Sequence, residues 1–159
     1  SVNALIIPGG ESTSIGKLSN RDDFHNTIKK KITQGMPVLG TCAGLIFLSN
    51  HIVQNSSNTS QKLLGTLDIE TERNAFGRQH ESFQSELSIP KFGLDKFMGV
   101  FIRAPRIRNI GSNVEILAKL NNDIVAVKQG NIIATCFHPE LSSNVIFHKY
   151  LIELATQRN

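Results

Sequence analysis

Residues 38–49 read VLGTCAGLIFLS, a lone cysteine between two glycines with an apolar run on either side. "PVLG" has the character of a short buried strand, and "AGLIFLSNHI" that of a helix packed behind it. Upstream, "NALIIPGG" is an apolar run closed by Pro-Gly-Gly, the pattern of a buried strand that ends in a tight loop. Between these strands, Asp22 or Asp23 can cap a helix in which Phe24, Ile28 and Ile32 recur every four residues, and Gly35 and Pro37 stop it. Strand, helix, strand, helix in this order predicts an α/β domain built on a parallel sheet with both faces covered.

Further along, "HIVQNSSNTSQK" has no apolar period and reads as loop. From Leu63 onward the chain turns to short strand-like runs: "LDIET", "ESFQSEL", "GVFIRAP", "VEILAKL", "IVAVKQG" and "IIATCF". "NND" at 121–123 and "QGN" at 129–131 are hairpin turns between the last three. An amphipathic helix is predicted from about Asn144, with Phe147, Leu151 and Leu154 on one side. Neither an internal repeat nor a dividing linker interrupts the chain, so residues 1–159 are read as one domain.

Composition narrows the function classes. With 159 residues, 40% of them hydrophobic and 19% charged, the chain can bury a proper core and is not a disordered segment. Its net charge of +4 is scattered, and the one tight run, Lys29-Lys30-Lys31, reads as a solvated helix face. Aromatic residues make up only 6% and do not interleave with basic ones, which argues against nucleic-acid binding. No apolar stretch reaches the roughly eighteen residues that span a bilayer, and no signal-peptide pattern opens the chain, so a cytoplasmic protein is expected. Two cysteines, Cys42 and Cys136, do not make a disulfide framework. The glycosylation-type triplets at Asn55 and Asn58 are then chance matches in a polar loop.

Cys42 has two readings. Free cysteine is among the most buried residue types, and Cys42 can be a small apolar filler in a tight turn. Alternatively, Gly40 and Gly44 permit a sharp strand-to-helix turn that lifts a nucleophile above the sheet. That turn puts the sulfur at a helix N-terminus, which favours thiolate, and aims the Ala43 N–H where an oxyanion forms. A nucleophile of this kind needs a base, and "CFHPEL" offers one. In an extended segment His138 and Glu140 project to the same side, so that a carboxylate can fix the imidazole that serves the thiol. Cys136, on the buried run just before His138, is read as core.

"PGGEST", "GTCAGLIFLS", "ERNAFGRQ", "FIRAP" and "FHPEL", in this order, resemble the glutaminase subunit of pyridoxal 5′-phosphate synthase, the PdxT or SNO family of class I glutamine amidotransferases. The similarity runs from Ala4 to about Leu154, and "RNAFGRQ" with "FIRAP" is its most specific part. It implies a three-layer, flavodoxin-like α/β domain with a mostly parallel central sheet. It also implies hydrolysis of L-glutamine to L-glutamate and ammonia, the ammonia passing to a synthase subunit in a hetero-oligomer. No metal or cofactor is implied for this chain.

Position by position, the resemblance makes Cys42 the nucleophile and His138 with Glu140 the relay. Gly10 and Ala43 match the oxyanion donors. Gly10, Glu11, Ser12, Arg73, Ile102 and Arg103 match the glutamine contacts, arginine being suited to a carboxylate. Plainer roles stand beside these: surface ion pairing for Arg73 and Arg103, helix N-capping for Glu11.

Related chains begin with a strand ending in a Leu-Gln-Gly loop, a helix and a second strand before the equivalent of "NALIIPGG". The sequence given starts at that third strand, so roughly thirty residues, one βαβ unit, are expected to be missing, with an unpaired sheet edge as the consequence. Two functions follow: an active glutaminase, or a truncated, catalytically silent paralogue that binds the synthase or a full-length copy. The intact Cys42, His138, Glu140, Gly10, Arg73 and Arg103 favour the first. A γ-glutamyl hydrolase uses a similar Cys-His pair, but "ERNAFGRQ" argues against it.

Overall fold

A computed structural model of the chain describes residues 2–10, 14, 17, 22–53, 61–73 and 82–157. Leu5–Ile7 (β1) and Val38–Thr41 (β2) pair in parallel, Leu5 opposite Val38 and Ile7 opposite Gly40. Parallel neighbours need a crossover, and Asp22–Thr33 (α1) is its described helix. The next elements are Ala43–Leu48 (α2), Ser49–Ile52 (β3), Leu67–Glu72 (β4), Ser82–Ile89 (β5), Leu94–Ile102 (β6) and Arg106–Ile110 (β7). Glu115–Leu120 (β8), Asp123–Gln129 (β9), Ile132–Thr135 (β10) and Ile146–Thr156 (α3) complete the order.

The central sheet runs β1-β2-β10-β9-β8. Its β1, β2 and β10 strands are parallel, whereas β9 and β8 join antiparallel through the two hairpins read from the sequence. Asn121 (φ 54°) and Gly130 (φ 55°) supply the left-handed residues those tight turns need. Every residue of β2 and β10 is buried, as is every residue of α2, which explains why "VLGT", "IIAT" and "AGLIFL" carry no polar face. At the sheet's edge, β1 leaves Ile6 47% exposed. Two smaller sheets, β3-β4-β7 and the β5-β6 hairpin, stand beside it.

Two local expectations give way to tertiary contacts. "AGLIFLSNHI" is helical only to Leu48: the Ser49 hydroxyl donates back to the Ile46 carbonyl at 2.7 Å, and Ser49–Ile52 then pairs in parallel with β4. His51 and Ile52, at the start of the stretch read as loop, therefore lie in a strand, and residues 54–60, with Asn55 and Asn58, fall outside the described residues. On α1, Ile32 is buried but Phe24 is 53% exposed. The residue that turns inward is His25, whose Nε2–H donates to the Leu63 carbonyl at 3.1 Å while its ring meets Phe47 edge-on. His25, Ile28 and Ile32 form a tighter stripe than the every-fourth series, and the hydrogen bond at Nε2 offsets part of the polar cost of burying the imidazole, whose Nδ1 has no partner among the described residues. Lys29, Lys30 and Lys31 are exposed, as expected of a solvated face.

α3 begins where Asn144 Oδ1 accepts the Ile146 N–H at 3.0 Å and buries Phe147 and Leu151. Phe147 packs edge-on against Phe97 and Phe137, and Phe137 meets Phe101, whose ring stacks on Phe83 at 4.7 Å. Most of the chain's few aromatics thus join α3, the β5-β6 hairpin and the end of β10 in one cluster. Each fully buried phenylalanine contributes about 2–3 kcal/mol, and the cluster clamps the residue next to His138.

Candidate active site

Adjacent parallel strands deliver the candidate residues to one end of the sheet. β1 is followed by Gly9-Gly10, β2 by Cys42 and β10, after two residues, by His138. The crevice beyond the C-terminal ends of parallel strands is where open α/β sheets bind ligands.

Cys42 carries the turn itself, at φ 51° and ψ −105°, just ahead of α2. Its N–H donates to the Thr135 carbonyl at 2.8 Å, which ties the elbow to β10. The two flanking glycines have a different task from the expected one, because neither holds the left-handed conformation. A Cβ on Gly44 would overlap the Ile7 carbonyl, and one on Gly40 would come within 2.5 Å of Leu48 Cδ1. They are needed for close approach of β1, β2 and α2, while the strained backbone falls on the cysteine, a position typical of functional sites.

Burial dominates the thiol's electrostatics. It raises the Cys42 pKa; the Ala43 N–H lowers it, Glu140 raises it, and Arg103 lowers it less. The net direction is upward: the Ala43 N–H at the start of the six-residue α2 acts in the expected direction, and desolvation outweighs it. The thiol instead donates to the Ile102 carbonyl at 3.8 Å. Cys136 is fully buried, its pKa pushed well up by desolvation, as a core thiol's should be.

His138 is extended, with its N–H donating to the Val100 carbonyl at 2.8 Å. Pro139–Leu141 forms a 3₁₀ turn rather than the expected extended segment, closed by Leu141 N–H on the His138 carbonyl. The turn still brings His138 Nδ1 to Glu140 Oε1 at 2.8 Å. A carboxylate only accepts, so Nδ1 carries a proton, and in the neutral ring Nε2 then keeps the lone pair.

Spacing arguments missed Gly9. A Cβ there would overlap His138 Cε1 and lie 3.4 Å from Cys42 Cβ, so the imidazole and the Cys42 Cβ flank one backbone position that only glycine can fill. The signal was present in "PGGEST", but nothing local says which of two glycines faces a histidine over a hundred residues away. We expect Gly9→Ala to cut turnover roughly a hundredfold by displacing the ring, with little change in the urea unfolding midpoint. Full turnover in the variant would show that the ring has room to shift. Gly10, at φ 131°, occupies a conformation open to glycine alone.

Of the other expected residues, Ile102 and Arg103 reach the thiol from β6: Ile102 through its carbonyl, Arg103 at φ 42° through its charge. Ala43 is buried with its N–H toward the sulfur. Arg73 lies just past β4, beside the chain that follows Arg103, because Glu72 pairs in register with Arg106. Glu11, Ser12 and residues 74–79 of "ERNAFGRQ" lie outside the described residues.

This fold is that of a glutamine amidotransferase. It superposes on a crystal structure of a glutamine amidotransferase with a TM-score of 0.89 at 46% identity, covering 98% of this chain and 80% of the other. The sequence model of the SNO glutamine amidotransferase family matches residues 1–157, and the chain belongs to that family. It is 48% identical to the pyridoxal 5′-phosphate synthase subunit PdxT of Nitrosopumilus maritimus (strain SCM1), across 98% of this chain and 77% of the relative. The PdxT subunit of Thermotoga sp. (strain RQ2) is 48% identical across 96% and 79%. A glutamine amidotransferase from Thermotoga maritima, 14% identical at a TM-score of 0.56 over 96% of this chain and 63% of the other, shares the fold.

Proposed function

We propose that Cys42, His138 and Glu140 are the triad with which this chain hydrolyses L-glutamine to L-glutamate and ammonia for pyridoxal 5′-phosphate synthesis. The carrying observation is the 2.8 Å contact of Glu140 with His138 Nδ1, on a ring that flanks the same backbone position as Cys42 Cβ. The imidazole takes the thiol proton through Nε2, offsetting the raised thiol pKa, and sulfur adds to the amide carbon. The oxyanion is received by the N–H groups of Gly10 and Ala43. His138 returns the proton to the departing nitrogen as the tetrahedral adduct collapses, leaving a glutamyl thioester that water hydrolyses to glutamate and free thiol. Glu11, Ser12, Ile102, and the cations Arg73 and Arg103 hold the substrate, the arginines facing its carboxylate.

The ammonia passes to a synthase subunit within a cytoplasmic hetero-oligomer; two free thiols suit a reducing compartment. Amide-¹⁵N glutamine tests this. With the synthase subunit and an excess of unlabelled ammonium, the pyridoxal 5′-phosphate formed should carry ¹⁵N at close to the glutamine enrichment. Product diluted in proportion to the ammonium would overturn transfer within the complex, and absence of glutamate formation would show a silent subunit.

A further inference from the structure

Arg73 is held in an unusual way for a half-buried arginine. Its Nη2–H donates to Gln61 Oε1, a neutral acceptor. Its buried Nε–H has no partner among the described residues. Among those residues the guanidinium also meets no carboxylate, and Glu72, the acid next to it in sequence, is committed to Arg108. Burial meanwhile pulls the Arg73 pKa down, the direction that disfavours a bare cation. An arginine kept for structure at this depth would be paired with an acid, because a desolvated unpaired charge is costly. A neutral amide fixes a guanidinium without neutralising it, and an orphaned buried donor remains for an incoming acceptor.

We infer that Gln61 is a positioning residue for glutamine binding: its amide oxygen holds Arg73 toward the site, and its lack of charge leaves the arginine's charge for the substrate carboxylate. The inference rests on the reading of Arg73 as a glutamine contact. The fold supports the placement, since Glu72 pairs with Arg106 just beyond the Ile102–Arg103 segment whose Ile102 carbonyl touches Cys42 Sγ.

Glutamine kinetics of the complex with the synthase subunit test it, using Gln61→Glu, Gln61→Leu and Arg73→Ala. Gln61→Glu keeps shape and acceptor but adds a charge that competes for Arg73; KM should rise roughly tenfold while kcat stays within about twofold and the urea midpoint is unchanged or higher. Gln61→Leu removes the acceptor, and KM should rise about threefold. A merely structural contact predicts the reverse order, because the new ion pair would hold Arg73 at least as well. Unchanged KM in Gln61→Leu, or a Gln61→Glu KM no higher than that of Gln61→Leu, overturns the role of Gln61. Unchanged KM in Arg73→Ala overturns the reading of Arg73 itself, and the two failures are distinguishable.

Discussion

Cys42→Ala is expected to lower glutamine hydrolysis about 10⁴-fold or more, while a complex with the synthase subunit should still assemble. The carbonyl carbon of an amide needs a nucleophile that can form and release a covalent adduct, and no other described thiol can supply it: Cys136 is fully buried, with its pKa pushed up. The fold should tolerate the change, because Cys42 is 8% exposed and alanine removes one sulfur from the rim of the core rather than its centre. Alanine and cysteine also suffer similarly at φ 51°, so the strain of the elbow is not relieved. Ammonia release measured with the synthase present, alongside size-exclusion of the mixture, separates chemistry from assembly. Hydrolysis that persists at the wild-type rate would remove Cys42 from the mechanism.

Second in size is the relay. His138→Asn should lower turnover about 10³-fold or more, and Glu140→Gln about 10- to 100-fold. The asymmetry follows from the geometry. In the proposed relay His138, 12% exposed on its side chain, would exchange the proton, whereas Glu140, 41% exposed, would only orient it, so solvent could take over part of the carboxylate's role. The Val100 carbonyl and the Phe137 clamp hold the histidine's backbone in either variant. Burial pushes the Cys42 pKa up, which adds to the expected cost of removing the base. Equal single-turnover rates for wild type and His138→Asn would point to another base.

The parts of this protein legible in its sequence are those that depend on neighbours in the chain. The elbow at Cys42, the hairpin turns at Asn121 and Gly130, and the helix that follows Asn144 all rest on contacts a few residues apart. His138 and Glu140 meet for the same reason, although through a 3₁₀ turn rather than an extended run.

Tertiary structure decided what local pattern leaves degenerate. "AGLIFLSNHI" has apolar content enough for a longer helix, and the pairing of Ser49–Ile52 with β4, with the Ser49 hydroxyl turned back to the Ile46 carbonyl, ends it at Leu48. Phe24 and His25 compete for the inward face of α1, and the distant Leu63 carbonyl selects the histidine. The turn at Cys42 favours a thiolate locally, but the ionisation of a thiol depends on how much water reaches it, and burial by the surrounding strands pushes its pKa up. Gly9 beside His138, and Gln61 on Arg73, were likewise invisible beforehand. Sequence spacing determines backbone conformation and local side-chain geometry, whereas desolvation, steric clearance and long-range pairing arise only once the strands are packed together.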